Sequence, residues 1–297
     1  MHNLQSIWAG VALALSVLVA GRPAPLVARD VSSDLLDQFN LFEQYAAAAY
    51  CSENFNSTGT KLTCSAGNCP LVQAADTETL DEFADTSGYG DTTGFLAVDK
   101  TNELIVLSFR GSSSFDNWIA NIDFVKTDVD LCDGCEAHSG FWEAWGSVAD
   151  SVTSQIDSAL STYSGYKLVI TGHSLGAALA TLGGVVLRNS GHTLDLYTFG
   201  CPRVGNEALA QYITSQSDAT YRLTHTDDPV PKLPPKSLGF SQPSPEYWIT
   251  SASGDPVTAS DIQVIQGIDS EAGNDGTATG LDIEAHRWYF NAISACN

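Results

Sequence analysis

The amino-acid sequence predicts a single-domain α/β fold, a mostly parallel central sheet with helices on both faces. Three observations carry this. Through the middle of the chain, apolar runs of strand length alternate with stretches of helical spacing, the order that builds a parallel sheet covered on both sides. The run Leu104-Ile105-Val106-Leu107 is apolar at every position, as a strand buried on both faces requires. The pentapeptide Gly172-His173-Ser174-Leu175-Gly176 stands between a strand-like run over 166–171 and a small-residue helical stretch over 177–187. A strand, a Gly-x-Ser-x-Gly turn and a helix in succession form a nucleophile elbow, whose backbones approach too closely for a Cβ at either glycine. Ser174 is therefore the candidate nucleophile.

The 297-residue chain is long enough for one large α/β domain or two ordinary ones, and no stretch in its middle has linker composition. Residues 1–20 hold an apolar run over 7–19 that is too short for a membrane span and predicts a secretory signal peptide, although no Lys or Arg precedes it. Residues 21–29 are rich in Pro and Ala, end at Arg29 and look like a removable pro-segment, which leaves the domain proper at 30–297. The formal charge of −22 repels phosphate backbones and anionic bilayers. It argues against nucleic acid as a partner and leaves apolar burial to drive any lipid contact; solubility of an exported protein accounts for the acidity equally well. Seven cysteines in an exported chain indicate disulfides. Cys132-Asp133-Gly134-Cys135 lacks the second pair or nearby His that zinc would need, so a structural loop is expected and no metal or cofactor. Cys201, after an apolar strand, is expected to be a buried free thiol.

Helical spacing of Leu35, Leu36, Phe39, Phe42, Tyr45 and Ala46, with Ser32 or Ser33 as N-cap, predicts an opening helix. A polar loop over 52–70 contains the single sequon, Asn56-Ser57-Thr58, which makes Asn56 a glycosylation candidate. Strands follow at 94–99 and 103–110. Next comes a serine-rich turn, Ser112 to Ser114, and a short segment in which Phe115, Trp118, Ile119 and Ile122 fall on one helical stripe opposite Asp116, Asn117, Asn121 and Asp123. On periodicity alone this is an ordinary amphipathic helix. Phe141, Trp145, Val148, Val152, Ile156 and Leu160 mark a long helix leading to the strand before Ser174. Beyond the elbow helix the pattern predicts a strand over 194–199, a helix from Asn206 to about 215, and strands over 221–224, 247–250 and 262–265. A Gly- and Asp-rich loop over 273–280 and a final apolar helix from near Ala285 complete the chain.

A serine hydroxyl needs a general base, and the base needs a carboxylate to hold its tautomer. In α/β-hydrolases the order along the chain is Ser, acid, His. Outside the elbow, three histidines follow Ser174: His192 lies in a polar turn, His225 precedes the best acids, and His286 alone follows both partners. Asp227 and Asp228 stand at the end of the strand over 221–224, where such sheets place functional groups, and composition does not choose between them. An oxyanion site needs preorganised donors; the Leu175 N–H is one, and the Gly111-Ser112 loop is the place for the other. His173 points the wrong way for a base and is taken as structural.

Arg110-Gly111-Ser112, Asn117-Trp118-Ile119, the elbow, Pro202-Arg203-Val204-Gly205-Asn206, Thr224-His225-Thr226-Asp227-Asp228 and Ala285-His286-Arg287-Trp288-Tyr289-Phe290 together resemble the secreted triacylglycerol lipases of filamentous fungi, the class 3 lipase family, over nearly the whole chain from Asp30 to Cys296. The resemblance implies Asp228 as the triad acid and Ser112 as an oxyanion residue through its N–H and hydroxyl. It implies a mobile lid over 115–124, and the disulfides Cys51–Cys296, Cys64–Cys69 and Cys132–Cys135. Two positions depart from the pattern: Cys201 stands where a small residue such as Ala is expected, and Asp227 adds a second carboxylate beside the triad acid. The implied activity is hydrolysis of triacylglycerol esters at an oil–water interface, through an acyl-enzyme on Ser174 and without metal or cofactor. A feruloyl or aryl esterase of the same fold is the nearest rival, against which Trp118, Ile119 and Ile122 argue. A non-catalytic secreted lipid-binding protein is the rival from another class, and an intact triad argues against it.

Overall fold

The computed structural model describes residues 31–85, 92–216, 219–278 and 283–297, so the expected signal peptide and pro-segment fall outside the described residues. The chain opens with α1 (Ser33–Ala48), whose N-cap is Ser32; its hydroxyl accepts the Leu35 amide at 3.2 Å. After α2 (Pro70–Ala74) come three strands, β1 (Thr77–Asp85), β2 (Thr92–Asp99) and β3 (Leu104–Phe109). A short helix α3 (Phe115–Asn121) and a small hairpin of β4 (Lys126–Asp128) and β5 (Glu136–His138) lead into the long α4 (Ser139–Thr162). Then β6 (Lys167–His173), α5 (Leu175–Asn189), β7 (Leu194–Phe199), α6 (Glu207–Gln216) and β8 (Thr220–His225) alternate as the sequence predicts. β9 (Glu246–Ile249), β10 (Ile262–Ile265) and α7 (Ile283–Arg287) follow.

Eight strands form one sheet in the order β1-β2-β3-β6-β7-β8-β9-β10, parallel from β3 to β9 and antiparallel at both edges. Alternation along β3 shows why its apolar run is continuous. Ile105, Leu107 and Phe109 pack with α4 and α5 on one face, while Leu104 and Val106 pack with α1 on the other. Aromatic rings fill the α1 side, where Phe42 lies 4.2 Å from Tyr197 between centroids. The loops that carry Ser112, Ser174 and Asp228 leave the C-terminal ends of the parallel strands β3, β6 and β8, the end at which such sheets bind ligands, while His286 arrives from the tail in α7.

α2, the β4–β5 hairpin and β1 lie outside the sequence expectation, and the last helix is shorter than expected. β1 went unpredicted because its residues, rich in Thr, Asp and Glu, carry no apolar run; it is an edge strand with a register shift between Thr79 and Asp81, and its carboxylates discourage further strand pairing. The last helix is only five residues long. After it the chain turns back through a Trp288–Ala292 bridge, because Cys296 is tied to Cys51 beside the end of α1. Among the described residues no helix is long and apolar enough to cross a membrane.

Where α1 meets this tail, Glu43 is fully buried. Its Oε2 accepts from Asn291 Nδ2 at 2.8 Å, and its Oε1 has no hydrogen-bond partner. Burial pushes the carboxyl well above the ordinary range, outweighing the Asn291 bonds, so the native protein holds a proton that the unfolded chain releases. Stability from this group is full below the unfolded carboxylate value, near pH 4.3, and is lost as pH rises towards the folded value. Glu43→Gln keeps the shape and does not titrate. The melting temperature of the variant relative to the parent is therefore expected to rise between pH 4.5 and pH 8; a constant difference would mean that Glu43 does not titrate abnormally.

Candidate active site

Ser174 sits between β6 and α5 with φ +58° and ψ −127°, a backbone that an L-residue keeps only when its surroundings enforce it. They do. A Cβ on Gly172 would lie 2.5 Å from the Gly176 carbonyl carbon, and one on Gly176 would lie 2.7 Å from the Arg110 carbonyl oxygen. The elbow is thus interlocked with the end of β3, and the Ser174 amide donates to the Phe199 carbonyl at 2.9 Å, fixing it to β7 as well. Leu175 begins α5, where first-turn N–H groups lack intrahelical acceptors and the helix dipole favours negative charge.

The turn after β8 delivers the acid. Thr226 has φ +38°, unusual for a β-branched residue, and its carbonyl accepts from Trp248 Nε1 at 2.8 Å and Asn274 Nδ2 at 3.1 Å. Asp228 is then fully buried, with Oδ1 accepting the Val230 amide at 2.9 Å. Its Oδ2 accepts from His286 Nδ1 at 2.9 Å and from the Tyr289 hydroxyl at 2.7 Å. Asp227, half-buried one residue earlier, makes no hydrogen bond to His286 that would compete. Because Nδ1 donates to the carboxylate, the lone pair of His286 is on Nε2. Both Nε2 and Ser174 Oγ are buried without a hydrogen-bond partner.

The other histidines are occupied elsewhere. His192 faces Asp157 at 2.8 Å, and the ring nitrogens of His225 meet the carbonyls of Ala285 at 2.8 Å and Ser251 at 2.9 Å. His173 Nε2 meets the carbonyl of His286 itself at 2.9 Å. His225 and His173 therefore grip consecutive carbonyls of α7, the helix that carries His286. Sequence reasoning missed this role for both. It also missed Gly200, Tyr289 and Asn274. The nearest signal was position: Gly200 ends β7, Tyr289 lies within the motif around His286, and Asn274 lies in the Gly- and Asp-rich loop, from which it donates to the Asp228 carbonyl at 2.9 Å.

α3 covers this site. Phe115 is buried and stands edge-on to the His286 ring, 5.0 Å between centroids and 88° between planes. Trp118 stacks on Phe141 at 6.3 Å, Ile122 is buried and Ile119 half-buried, while Asn117, Asn121 and Asp123 face outward. Ser112 Oγ is engaged within its own loop, donating to the Ser114 carbonyl and accepting the Ser114 amide, both at 3.3 Å. Disulfides join Cys51 to Cys296, Cys64 to Cys69 and Cys132 to Cys135; Cys201 is a buried free thiol that burial pushes up to about 11. Asn56 is exposed on a turn with φ +55°. Among the described residues no three His, Cys, Asp or Glu side chains are grouped to hold a metal ion.

An imidazole held at Nδ1 by a buried carboxylate, with Nε2 left bare in the same closed site as a strained serine, is built for proton transfer at the serine oxygen. Fold and site together define an α/β-hydrolase of the serine-hydrolase class. The family profile "Lipase (class 3)" matches residues 106–238, and "Lipase 3 N-terminal region" matches residues 11–81. The chain is 48% identical over 277 residues to the secreted mono- and diacylglycerol lipase A of Penicillium cyclopium, covering 92% of this chain and 90% of that protein. It is 42% identical to the secreted mono- and diacylglycerol lipase 1 of Fusarium solani, covering 90% and 79%. A crystal structure of a mutant of the Penicillium cyclopium protein superposes with a TM-score of 0.87 at 48% identity over 90% of this chain and all of that one. The Rhizomucor miehei lipase–propeptide complex gives 0.80 at 29% identity, over 91% and 85%. The chain belongs to the class 3 lipase family.

Gly200 offers a test of this geometry. It has φ +60°, and a Cβ there would lie 2.8 Å from His286 Cε1 and 2.9 Å from Nδ1. Gly200→Ala is expected to cost about 100-fold in kcat through displacement of the imidazole. Near-parental kcat, measured on a soluble ester with far-ultraviolet circular dichroism to verify folding, would show that the ring is not held by this contact.

Proposed function

We propose that the protein is a secreted lipase that hydrolyses acylglycerol esters at a lipid surface through an acyl-enzyme on Ser174. His286 Nε2 takes the Ser174 proton as Oγ attacks the ester carbonyl, and Asp228 stabilises the imidazolium that forms. The oxyanion is received by the Leu175 N–H at the start of α5 and by the N–H and hydroxyl of Ser112. His286 then passes the proton to the departing glyceride alcohol. Water, deprotonated by the same nitrogen, releases the fatty acid and restores the serine.

The observation that carries the lipid-surface part is the apolar face of α3 resting on His286. Transfer of that face from the protein to lipid keeps it out of water, at about 25 cal/mol per Å² that exposure would otherwise cost. A lipid surface therefore favours an open state that plain water disfavours. Opening also moves Ser114, releasing the Ser112 hydroxyl for the oxyanion. Residues 115–124 are accordingly assigned as the lid, residues 1–20 as the signal peptide and 21–29 as the pro-segment, and Asn56 as the glycosylation site. The names of the relatives from Penicillium and Fusarium support mono- and diacylglycerols as the favoured substrates. The buried, apolar residues Phe115, Trp118 and Ile122 count against soluble aromatic esters.

Hydrolysis of monocaprylin, dicaprylin, tricaprylin and methyl ferulate, each below and above its solubility limit, distinguishes the readings. Partial glycerides are expected to be cleaved fastest, with a rate step at the solubility limit. Tricaprylin leading would make this a triacylglycerol lipase, methyl ferulate leading would make it an aryl esterase, and inactivity on all four would favour a lipid-binding protein. Ser174→Ala is expected to lower turnover on the order of 10⁶-fold while adsorption to an emulsion persists; near-parental turnover would remove Ser174 as nucleophile.

A further inference from the structure

Beneath Phe115 lies a hydrogen-bonded chain that the reaction steps above leave unused. Tyr50, just past α1, is buried, and its hydroxyl lies 2.7 Å from His173 Nδ1. His173 Nε2 lies 2.9 Å from the His286 carbonyl oxygen. A carbonyl only accepts, so Nε2 carries a proton. Burial, and then the neighbouring His286, hold the His173 pKa well below its ordinary value, so the ring is neutral and Nδ1 is a bare lone pair. Tyr50 must therefore donate to it. Tyr50 also packs against the Gly111 backbone. Its hydroxyl is also the first atom that a Cβ at Gly111 would meet, ahead of the His173 carbonyl oxygen at 2.8 Å and Ser174 Cβ at 3.1 Å. The two donors point one way, from the Tyr50 hydroxyl to His173 and from His173 to the His286 carbonyl. The chain begins against the loop that carries Ser112 and ends on the backbone of the base.

We propose that Tyr50 and His173 are positioning residues that hold the oxyanion loop at Gly111-Ser112 and the catalytic His286 in fixed register across the elbow. The inference rests on the assignment of Ser174, Ser112 and His286 made above. Its physical basis is that the His286 end cannot shift without breaking a buried hydrogen bond, that the Gly111 end is packed directly against the Tyr50 hydroxyl, and that bonds aligned head to tail polarise one another. The relay also lies against the lid: Phe115 is 6.2 Å from the Tyr50 ring and 5.7 Å from the His173 ring, while His173 and His286 are 4.4 Å apart.

The test is kcat and KM on monocaprylin for Tyr50→Phe, His173→Ala and His173→Gln, normalised to sites titrated with a phosphonate ester. Tyr50→Phe removes one donor and is expected to lower kcat about 10-fold with KM within about twofold, the loss of one buried hydrogen bond felt in the transition state. His173→Ala is expected to do the same. His173→Gln, whose amide still donates toward the His286 carbonyl, is expected to recover part of the loss. In a Ser112→Ala background, which already weakens the oxyanion site, the effect of Tyr50→Phe is expected to shrink below about threefold. Parental kcat per titrated site in Tyr50→Phe and His173→Ala, whatever the change in melting temperature, would overturn the proposal, as would full additivity with Ser112→Ala. Should Tyr50→Phe fail to fold, the His173 pair decides on its own. Failure of the phosphonate to label the parent at Ser174 would instead strike the underlying triad assignment.

Discussion

The structure depends on a backbone contact too close for any side chain to intervene. Gly172 and Gly176 bring the end of β6, the start of α5 and the end of β3 within van der Waals reach of one another, and a Cβ at either position would collide with backbone rather than with a movable side chain. That approach forces Ser174 to φ +58°. It also places the Gly111-Ser112 loop, which follows β3, beside the first turn of α5. The positions of Ser174 and of the Gly111-Ser112 loop thus share one cause. The remaining parts arrive from β7, β8 and the tail: Ser174 N to Phe199 O and His173 to the His286 carbonyl tie β7 and the tail to this junction, and His225 to the Ala285 carbonyl ties the tail to β8.

Burial then sets the chemistry. Asp228, His286 and Ser174 are all inaccessible, so the Asp228 charge is sustained by three donors, His286, Tyr289 and the Val230 amide, rather than by water. A charge held this way orients the imidazole firmly. The same burial leaves His286 Nε2 and Ser174 Oγ with nothing to bond in the closed state. Unpaired buried polar groups are costly, and here the cost falls on two atoms that an ester would engage. Phe115 lays an apolar ring edge-on to the His286 imidazole.

What could be read from sequence followed the range of the interactions. The elbow was legible because its determinants are five adjacent residues with a strand before and a helix after. The parallel sheet was legible because β3, β6 and β7 are buried on both faces and so read as apolar runs. Asp228 and Asp227 were not separable by pattern, since they are neighbours on one turn; only the Thr226 conformation and the His286 loop decide which carboxylate faces inward. His173 and His225 looked idle because their partners lie 113 and 60 residues away. β1 escaped because this edge strand is rich in Thr, Asp and Glu, and α7 proved short because a disulfide spanning 245 residues redirects the chain after it.

The central claim is that a complete Ser174–His286–Asp228 site is kept closed by α3 until a lipid surface opens it. The most direct measurement is the rate at which a small soluble organophosphate inactivates the protein, with and without an emulsion of a non-hydrolysable dialkyl glycerol ether, followed by mass spectrometry of the labelled peptide. Slow labelling in buffer, a rise of at least about tenfold with the emulsion, and modification at Ser174 alone are the predicted result. Equal rates in both conditions, or label on any other residue, would contradict it.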